Sequence, residues 1–528
     1  MSLILREMES VRRLHMYHVK SRITNSVRNA KVATLFYFLN LILQFLSRRI
    51  FILYLGNEVL GLNTTAQNLL QFLNLAELGI GSAVSFFLYK PLAENNVAVI
   101  NEIVSLQGYL YRRIGLLILG VSLLLIFFFP WIFKSINLPQ WYPYATFGVL
   151  LFSSLLGYFF NYQQIILVSD QKEYKLNYII QSIKLCKFLF QIVFILSFSN
   201  GYIWWLLIEV AASICTVIGI RLMVLSEYPW LCPTFGNGKI LLSKYSEITK
   251  KTKQLFFHKI AGFALTQTSP LILFAYASLV MVAKYGNYLL VITGVTALLG
   301  ALFNSINASV GNLVAEGNKQ HILDVFEELF SIRVQLSATA CFVCLKLMCP
   351  FISLWVGEEQ LLDDMSLYLL VLIMYINLSR LAVDSFINAY GLFSDIWAPL
   401  LESLLNVGLA VLLGHFWGLP GILTGSLISL IVVVFCWRPL FLFRKGICVN
   451  FKIYVKLYFK QAFAIVTSFI ISDWIIDNFF SSPINSFVDL MLYGISYSLI
   501  FGVLSLCILL YIDAGMRRFF KKLRAYLR

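Results

Sequence analysis

Fourteen runs of about 20 residues, each nearly free of charge, dominate this 528-residue sequence. A run of that length spans the hydrocarbon of a bilayer as a helix, because no water is there to satisfy exposed backbone groups. The runs lie near 32–55, 60–88, 110–133, 143–168, 176–198, 202–223, 255–282, 285–313, 331–354, 366–390, 396–414, 420–440, 456–477 and 486–512. Only 13% of the residues are charged, against about 25% in a soluble domain. The chain therefore reads as an all-α polytopic membrane protein of about 14 transmembrane helices.

The formal charge is +15, but the basic residues fall between apolar runs and form no single patch, so nucleic acid is not the partner implied. Of the 41 lysines and arginines, 35 lie on one side of the alternating loops and only Lys134 and Lys284 on the other. By the positive-inside rule both termini are expected in the cytoplasm. The first 31 residues are polar and basic, which suggests a retained cytoplasmic arm and not a cleaved signal. The nine cysteines fall mostly within apolar runs. Cys341-Phe-Val-Cys344 has no second pair or histidine cluster beside it, so no metal site is expected.

An internal repeat is legible. Pro91-Leu-Ala-Glu94-Asn-Asn96 after helix 2 matches Leu313-Val-Ala-Glu316-Gly-Asn318 after helix 8 at an offset of 222, and Leu167-Val-Ser-Asp170 matches Leu392-Phe-Ser-Asp395 at 225. A duplicated six-helix unit keeps its orientation, so two parallel six-helix lobes are expected, followed by two further helices. The implied divisions are a basic arm (1–31), an N-lobe of helices 1–6 (32–223), a basic cytoplasmic linker (224–254), a C-lobe of helices 7–12 (255–440), and helices 13 and 14 with a basic tail (441–528). Within this plan the stretch 48–94 stands out. It carries two arginines on helix 1 and Glu77 within helix 2, at depths where an ionisable group costs roughly 2.5–3.5 kcal/mol unless it meets water or a partner.

Tyr54-Leu-Gly56, Leu60-Gly-Leu-Asn63, Leu75-Ala-Glu-Leu-Gly79-Ile and Tyr89-Lys-Pro-Leu-Ala93, with the duplicated topology, resemble the multidrug/oligosaccharidyl-lipid/polysaccharide flippase superfamily. Within it the chain is similar to the Wzx-like polysaccharide flippases of bacterial O-antigen and capsule assembly. The resemblance implies two lobes in a V around a cavity that opens alternately to each face of the bacterial inner membrane. The cargo it implies is an undecaprenyl-diphosphate-linked oligosaccharide, moved without a cofactor, with H+ or Na+ as a candidate coupling ion. It also implies a monomer amid membrane lipids, associated with polysaccharide-assembly proteins. By the repeat offset Arg48 aligns near Pro270, so the cationic wall is not duplicated.

For a diphosphate the candidate partners are Arg48 and Arg49, roughly 10 Å below the outer end of helix 1, where a guanidinium gives bidentate hydrogen bonds. The alternative is that they snorkel to the outer headgroups. Arg380 lies deep in helix 10 with Asp384 at i+4, either as a plain pair or as one that loosens for an anion. His258 and Lys259 open helix 7, where ordinary anchoring competes with a diphosphate-binding role; Arg112 and Arg113 at the start of helix 3 are read likewise. Gln71 and Asn74 lie on the polar seam of helix 2 and Asn304 on that of helix 8, suited to sugar hydroxyls or to helix association. Glu77 and Glu209, with Asp384, are the candidate coupling carboxylates. Glu402 and Lys346 read as structural.

No nucleophile–base set or phosphate-cradling loop is visible, so a non-enzymatic carrier is expected. A lipid II-type flippase and a multidrug or cation exporter of the same superfamily are the alternatives. A glycan polymerase is disfavoured because the longest outer loop has only about a dozen residues.

Overall fold

The computed structural model describes the backbone at residues 2–77, 79–134, 136–234, 238–250, 252, 269–304, 307–392, 394–395, 397–480 and 482–526. Side chains are described within these ranges from residue 28 onward, apart from 30, 75, 76, 304, 307, 308 and 526. The described residues are helical or connecting, with no strand among them. The chain divides into two compact units, Met1–Ile260 and Ala261–Arg528.

The first unit begins with α1 (Ser2–Leu55), a 54-residue helix. The polar arm expected as a separate segment thus continues directly into the first span. A turn at Gly56, with φ 86°, leads to α2 (Asn57–Leu73). Helix 2 was expected to be continuous, but it breaks. A 3-10 turn (Asn74–Glu77) and Gly79, left-handed at φ 97°, precede α3 (Ile80–Ala93). Then come α4 (Val97–Phe127), α5 (Trp141–Phe160), α6 (Glu173–Ser197) and α7 (Gly201–Glu227). The span begun by α5 continues through a 3-10 turn, Asn161–Gln164, into Ile165–Ser169.

α1 lies along α6, and side-chain amides fix their register. Asn29 accepts from the Tyr174 N–H at 2.6 Å, and Asn40 Nδ2 donates to Gln181 Oε1 at 2.7 Å. Both helices therefore run in the same direction. Near the far end Phe51 meets Trp205 of α7 edge-on at 5.5 Å.

The second unit contains α8 (Leu279–Asn304), α9 (Asn307–Glu316), α10 (Lys319–Val356), α11 (Asp364–Ser379) and α12 (Leu381–Ala389). α13 (Trp397–Ser429) is two helices joined at Gly418, whose φ of 59° and ψ of −132° reverse the chain. Only glycine takes that conformation cheaply. The arms then pack backbone to backbone: a Cβ on Gly425 would sit 2.5 Å from the Ala410 nitrogen. The second arm widens into π-type turns, Leu430–Trp437 and Leu442–Ile447, on either side of Arg438–Phe441. α14 (Lys452–Phe479) and α15 (Phe487–Ile512) pack on α10, with Phe342 stacked on Phe501 at 4.6 Å, and α16 (Ala514–Tyr526) follows.

Among the described residues, eleven helices are long and apolar enough to cross a membrane, one of them being the reversed stretch Trp397–Ile447. Counting its two arms separately and adding the broken pair α2–α3 accounts for most of the fourteen expected spans. The run expected at 255–282 falls largely outside the described residues. Outward faces carry bare apolar side chains such as Leu124, Phe416 and Phe459, each about two-thirds exposed or more, as suits a surface solvated by lipid. The chain is a multi-pass membrane protein.

The repeat is visible in the backbone. Asn96 and Asn318 each cap the following helix, accepting from Val99 and His321 N–H at 3.2 Å, which supports the 222 offset. The second sequence match is corrected. The turn that closes helix 4 places Gln171 at φ 60°, and its counterpart is Gly391 at φ 64°, with matching bonds from Lys172 N to Leu167 O and Leu392 N to Ile387 O. The aspartates at 170 and 395 are therefore offset from true equivalence by five residues.

Candidate functional site

Among the described residues, three clusters of ionisable groups within the spans bear on the sequence candidates, two in the first unit and one in the second. The first lies at the break in helix 2. The 3-10 turn swings Glu77 towards α4 and α5, where Tyr111 donates to Oε1 at 2.6 Å and Tyr158 to Oε2 at 2.8 Å. Asn74, one 3-10 turn earlier, accepts from Tyr158 at 3.0 Å and Ser154 at 3.3 Å. Both phenol rings are nearly buried and lie edge-on to one another at 5.7 Å. Each carboxylate oxygen thus has a charge-assisted partner, worth about 1.5–3 kcal/mol apiece. Two of the sequence candidates, Asn74 and Glu77, come together here. Gln71 does not join them and is exposed, while Asn68 on the same seam is buried with its Nδ2 unpaired.

The second place lies along α1, α6 and α7. Lys187 Nζ pairs with Glu209 Oε1 at 2.9 Å, and Gln191 Nε2 donates to Oε2 at 3.1 Å. Glu209 therefore has a cationic partner on the neighbouring helix. Lys184 lies one turn below Lys187 with its ammonium 5.8 Å from the Phe188 ring centre, and among the described residues no carboxylate lies within ion-pairing distance of it. Sequence reading placed both lysines at the basic loop end. The structure corrects this: α6 starts at Glu173, so Lys184 sits roughly 16 Å along the helix and Lys187 roughly 21 Å. The signal was available in their spacing from that start.

The Asn40–Gln181 register puts Arg48, about 12 Å further along α1, level with Lys187 to Gln191. Arg48 is half-buried and Arg49 exposed, as expected for neighbours about 100° apart. The central turns of α1, α6 and α7 thus set four cations against one carboxylate among the described residues.

The third place is in the second unit. The span expected as one helix carries a single slightly irregular residue, Arg380, between α11 and α12; its backbone stays right-handed helical (φ −58°, ψ −27°) and its N–H bonds to Ile376 O at 3.0 Å. Arg380 Nε pairs with Asp384 Oδ2 at 2.9 Å, so the i+4 pair forms. Asp384 also takes Arg438 at 2.9 Å through Oδ1, and Glu402, which is 1% exposed, lies 3.9 Å from Arg380. Glu402 is thus part of a four-residue charge cluster. Beside it Arg333, fully buried, donates to Leu381 O, to Ser385 Oγ at 2.7 Å and to Phe303 O at 2.8 Å. Its guanidinium thus has two backbone carbonyls and a hydroxyl as acceptors, as a buried charge requires. Arg333 was counted from the sequence as a loop cation; nothing in its local pattern separates it from one. Arg380 also lines a cavity of ≈ 10 Å³ with Ser379, Tyr454 and Tyr458, room for about one water.

His258 and Lys259 lie outside the described residues, as does the side chain of Asn304. Arg112 and Arg113 are exposed, Arg113 against the Tyr109 ring at 4.6 Å. Lys346 pairs with Asp473 and approaches Asp477 at 4.0 Å, joining α10 to α14.

No protein-family model matches the sequence, and no curated protein matches it. Solved structures do match in shape. A lipid II flippase, MurJ, in an inward closed conformation superposes with a TM-score of 0.59 at 16% identity, covering 89% of this chain and 97% of that one. An inward-facing multidrug resistance MATE family transporter of the MOP superfamily gives 0.58 at 14% identity, covering 76% of this chain and 94% of that one. The chain has their fold. Both neighbours are membrane carriers and neither is an enzyme, and the long coverage leaves few residues of either neighbour without a counterpart.

Proposed function

We propose that the chain is a flippase of the MOP superfamily, that is, the multidrug/oligosaccharidyl-lipid/polysaccharide superfamily. It carries an undecaprenyl-diphosphate-linked oligosaccharide by alternating access from the cytoplasmic to the outer leaflet of a bacterial inner membrane. Both termini are cytoplasmic, and the product feeds surface polysaccharide assembly. The observation that carries this reading is the cation excess of the first unit: Arg48, Arg49, Lys184 and Lys187 against Glu209 in the central turns of three adjacent helices. A cation exporter would need the opposite balance.

In this reading Arg48 grips a phosphate through its fork of N–H donors. Lys184, which has no ion-pair partner among the described residues, supplies a second point charge. Lys187 is held by Glu209, and Gln191 keeps that carboxylate occupied on its other oxygen. Glu77, fixed by Tyr111 and Tyr158, is the candidate proton or Na+ carrier of the first unit, and Asp384 that of the second. An inside-negative potential favours outward movement of the diphosphate by about 2.3 kcal/mol per charge per 100 mV.

A lipid II carrier is the second reading, favoured by the shape match to a lipid II flippase. Both cargoes present a diphosphate, so the cationic set serves either. Alanine substitution of Lys184, Arg48 and Arg49 one at a time, scored by surface glycan at matched protein levels, tests the diphosphate site. Full export by all three variants removes it. Restoration of growth in a strain lacking its lipid II flippase selects the second reading.

A further inference from the structure

The amphipathic helix α16 begins two residues after the last span ends at Ile512, and the structure fixes how it sits. Asp513, 1% exposed, accepts from Ser331 Oγ at 2.5 Å and Gln461 Nε2 at 3.2 Å, and from the Met516 N–H at 3.2 Å. One carboxylate therefore caps α16 and ties it to α10 and α14. Gly515 lies against the α10 backbone; a Cβ there would fall 2.7 Å from Glu327 O. Arg518 pairs with Glu327, Asp324 and Glu328 of α10, and Lys522 pairs with Glu328 at 2.8 Å.

Those pairs use one face only. At 100° per residue, Arg517, Lys521 and Arg524 fall within a sector of about 60°. All three are exposed, and no carboxylate lies within ion-pairing distance of them among the described residues. The cationic stripe is bordered on one side by the paired Arg518 and Lys522. On the other it is bordered by Phe520, which packs with Met516, Leu509 and Ala464. Exposed Lys452 and Lys456 at the start of α14 extend the same rim.

We propose that Arg517, Lys521 and Arg524 of α16 form a binding stripe for anionic phospholipid headgroups of the adjoining leaflet. The argument is charge complementarity at a fixed depth. The helix starts where the hydrocarbon span stops, its apolar edge is already seated, and its acidic neighbours are engaged on a different face. The stripe faces away from the acids that Arg518 and Lys522 engage, and its field reaches about 10 Å before salt screens it. A basic amphipathic helix held in this plane binds anionic lipid through the buried edge and the flanking charges together. This proposal does not depend on which cargo the protein carries.

The test uses the full-length protein in neutral detergent, titrated with short-chain phosphatidylglycerol or phosphatidylcholine and followed by native mass spectrometry. Phosphatidylglycerol is expected to bind more tightly and to weaken with salt. Removing the three cations as R517A/K521A/R524A is expected to weaken it on the order of a hundredfold, about fivefold per charge, with no change in phosphatidylcholine binding. The variant R517K/R524K is expected to bind as the parent does. Equal binding of the two lipids by the parent, unaltered phosphatidylglycerol affinity in the alanine variant, or loss in the lysine variant would each overturn the proposal. Displacement of the lipid by inorganic phosphate at equal concentration would do the same, since it would mark a simple anion site. If the alanine variant melts early in phosphatidylcholine, R517Q/K521Q/R524Q carries the same comparison.

Discussion

Asp384→Asn is the most informative single change in the second unit. Asp384 receives both Arg380 and Arg438 at 2.9 Å, and all three side chains are less than a quarter exposed. With Glu402 the cluster is neutral; with asparagine it becomes two guanidiniums against one carboxylate. Two unit charges 4 Å apart interact by about 4 kcal/mol at an effective dielectric near 20. Breaking a buried pair from one side costs about 3–5 kcal/mol in proteins generally. Glu402 lies 3.9 Å from Arg380 and takes up part of that loss, so about 3 kcal/mol is expected. The assay is denaturant unfolding in mixed micelles, followed by circular dichroism. Adding Arg438→Gln should recover about 2 kcal/mol, because the second change removes the cation stranded by the first. A D384N protein within about 1 kcal/mol of the parent, or a double variant no better than the single, would refute the view that this cluster is an interlocked neutral set.

Tyr158→Phe removes the single phenol proton that Glu77 and Asn74 share, so, like Tyr111→Phe, it should lower stability by about 1.5–3 kcal/mol; denaturant unfolding of the two variants checks this. Lys184→Ala should abolish or sharply reduce glycan export while leaving the melting temperature unchanged, and Lys184→Arg should preserve export, read by surface-glycan labelling at matched protein levels. Gly418→Ala forces a left-handed turn on a Cβ and should cost about 1–3 kcal/mol, seen as an earlier thermal transition. In liposomes an imposed inside-negative potential should raise outward movement of the lipid-linked diphosphate; rates indifferent to the potential refute the charge-driven step.

Most of the fold is readable in the sequence because a bilayer leaves an apolar run of 20 residues one option. The reversal in α13 was legible as two runs, 396–414 and 420–440, with a Gly-Leu-Pro between them. The interior charges were harder. Arg48, Glu77 and Arg380 stand well inside apolar runs and are conspicuous. Lys184, Lys187 and Arg333 lie where a run shades into a basic loop, and hydropathy alone places such residues outside. The helix start at Glu173 and the N-terminal extension of α10 beyond its apolar run decide their depth, and both depend on capping and packing. The Asp170–Asp395 match was misleading for a related reason: identity at three positions outweighed a backbone turn that Gln171 and Gly391 share without sharing a side chain.

The break in helix 2 explains where one interior charge sits. A continuous helix satisfies its own backbone and offers a membrane interior nothing polar except side chains. An interrupted one leaves N–H and C=O groups unpaired, which must be met in place. At Arg380 the backbone ladder continues, from Arg380 N to Ile376 O and from Asp384 N to Arg380 O; the same segment carries the Arg380–Asp384–Arg438 cluster, with Arg333 donating to Leu381 O and Phe303 O beside it. At Asn74–Glu77 the 3-10 turn directs two polar side chains at two phenols from different helices. In the first unit, then, a span is cut where Glu77 is held by neighbours that a straight helix would not have aimed at it; in the second, Asp384 is held by its i+4 partner Arg380 and by Arg438 of another segment. Such a carboxylate is fixed by groups on separate helices, so any shift of those helices changes its partners, and any change in its charge alters how they pack. That reciprocity is what coupling requires. It makes Glu77 and Asp384 the positions at which an ion should leave its mark: Glu77→Gln and Asp384→Asn should each remove a dependence of transport on the H+ or Na+ gradient. Gradient-dependent transport that survives both changes would place the coupling elsewhere.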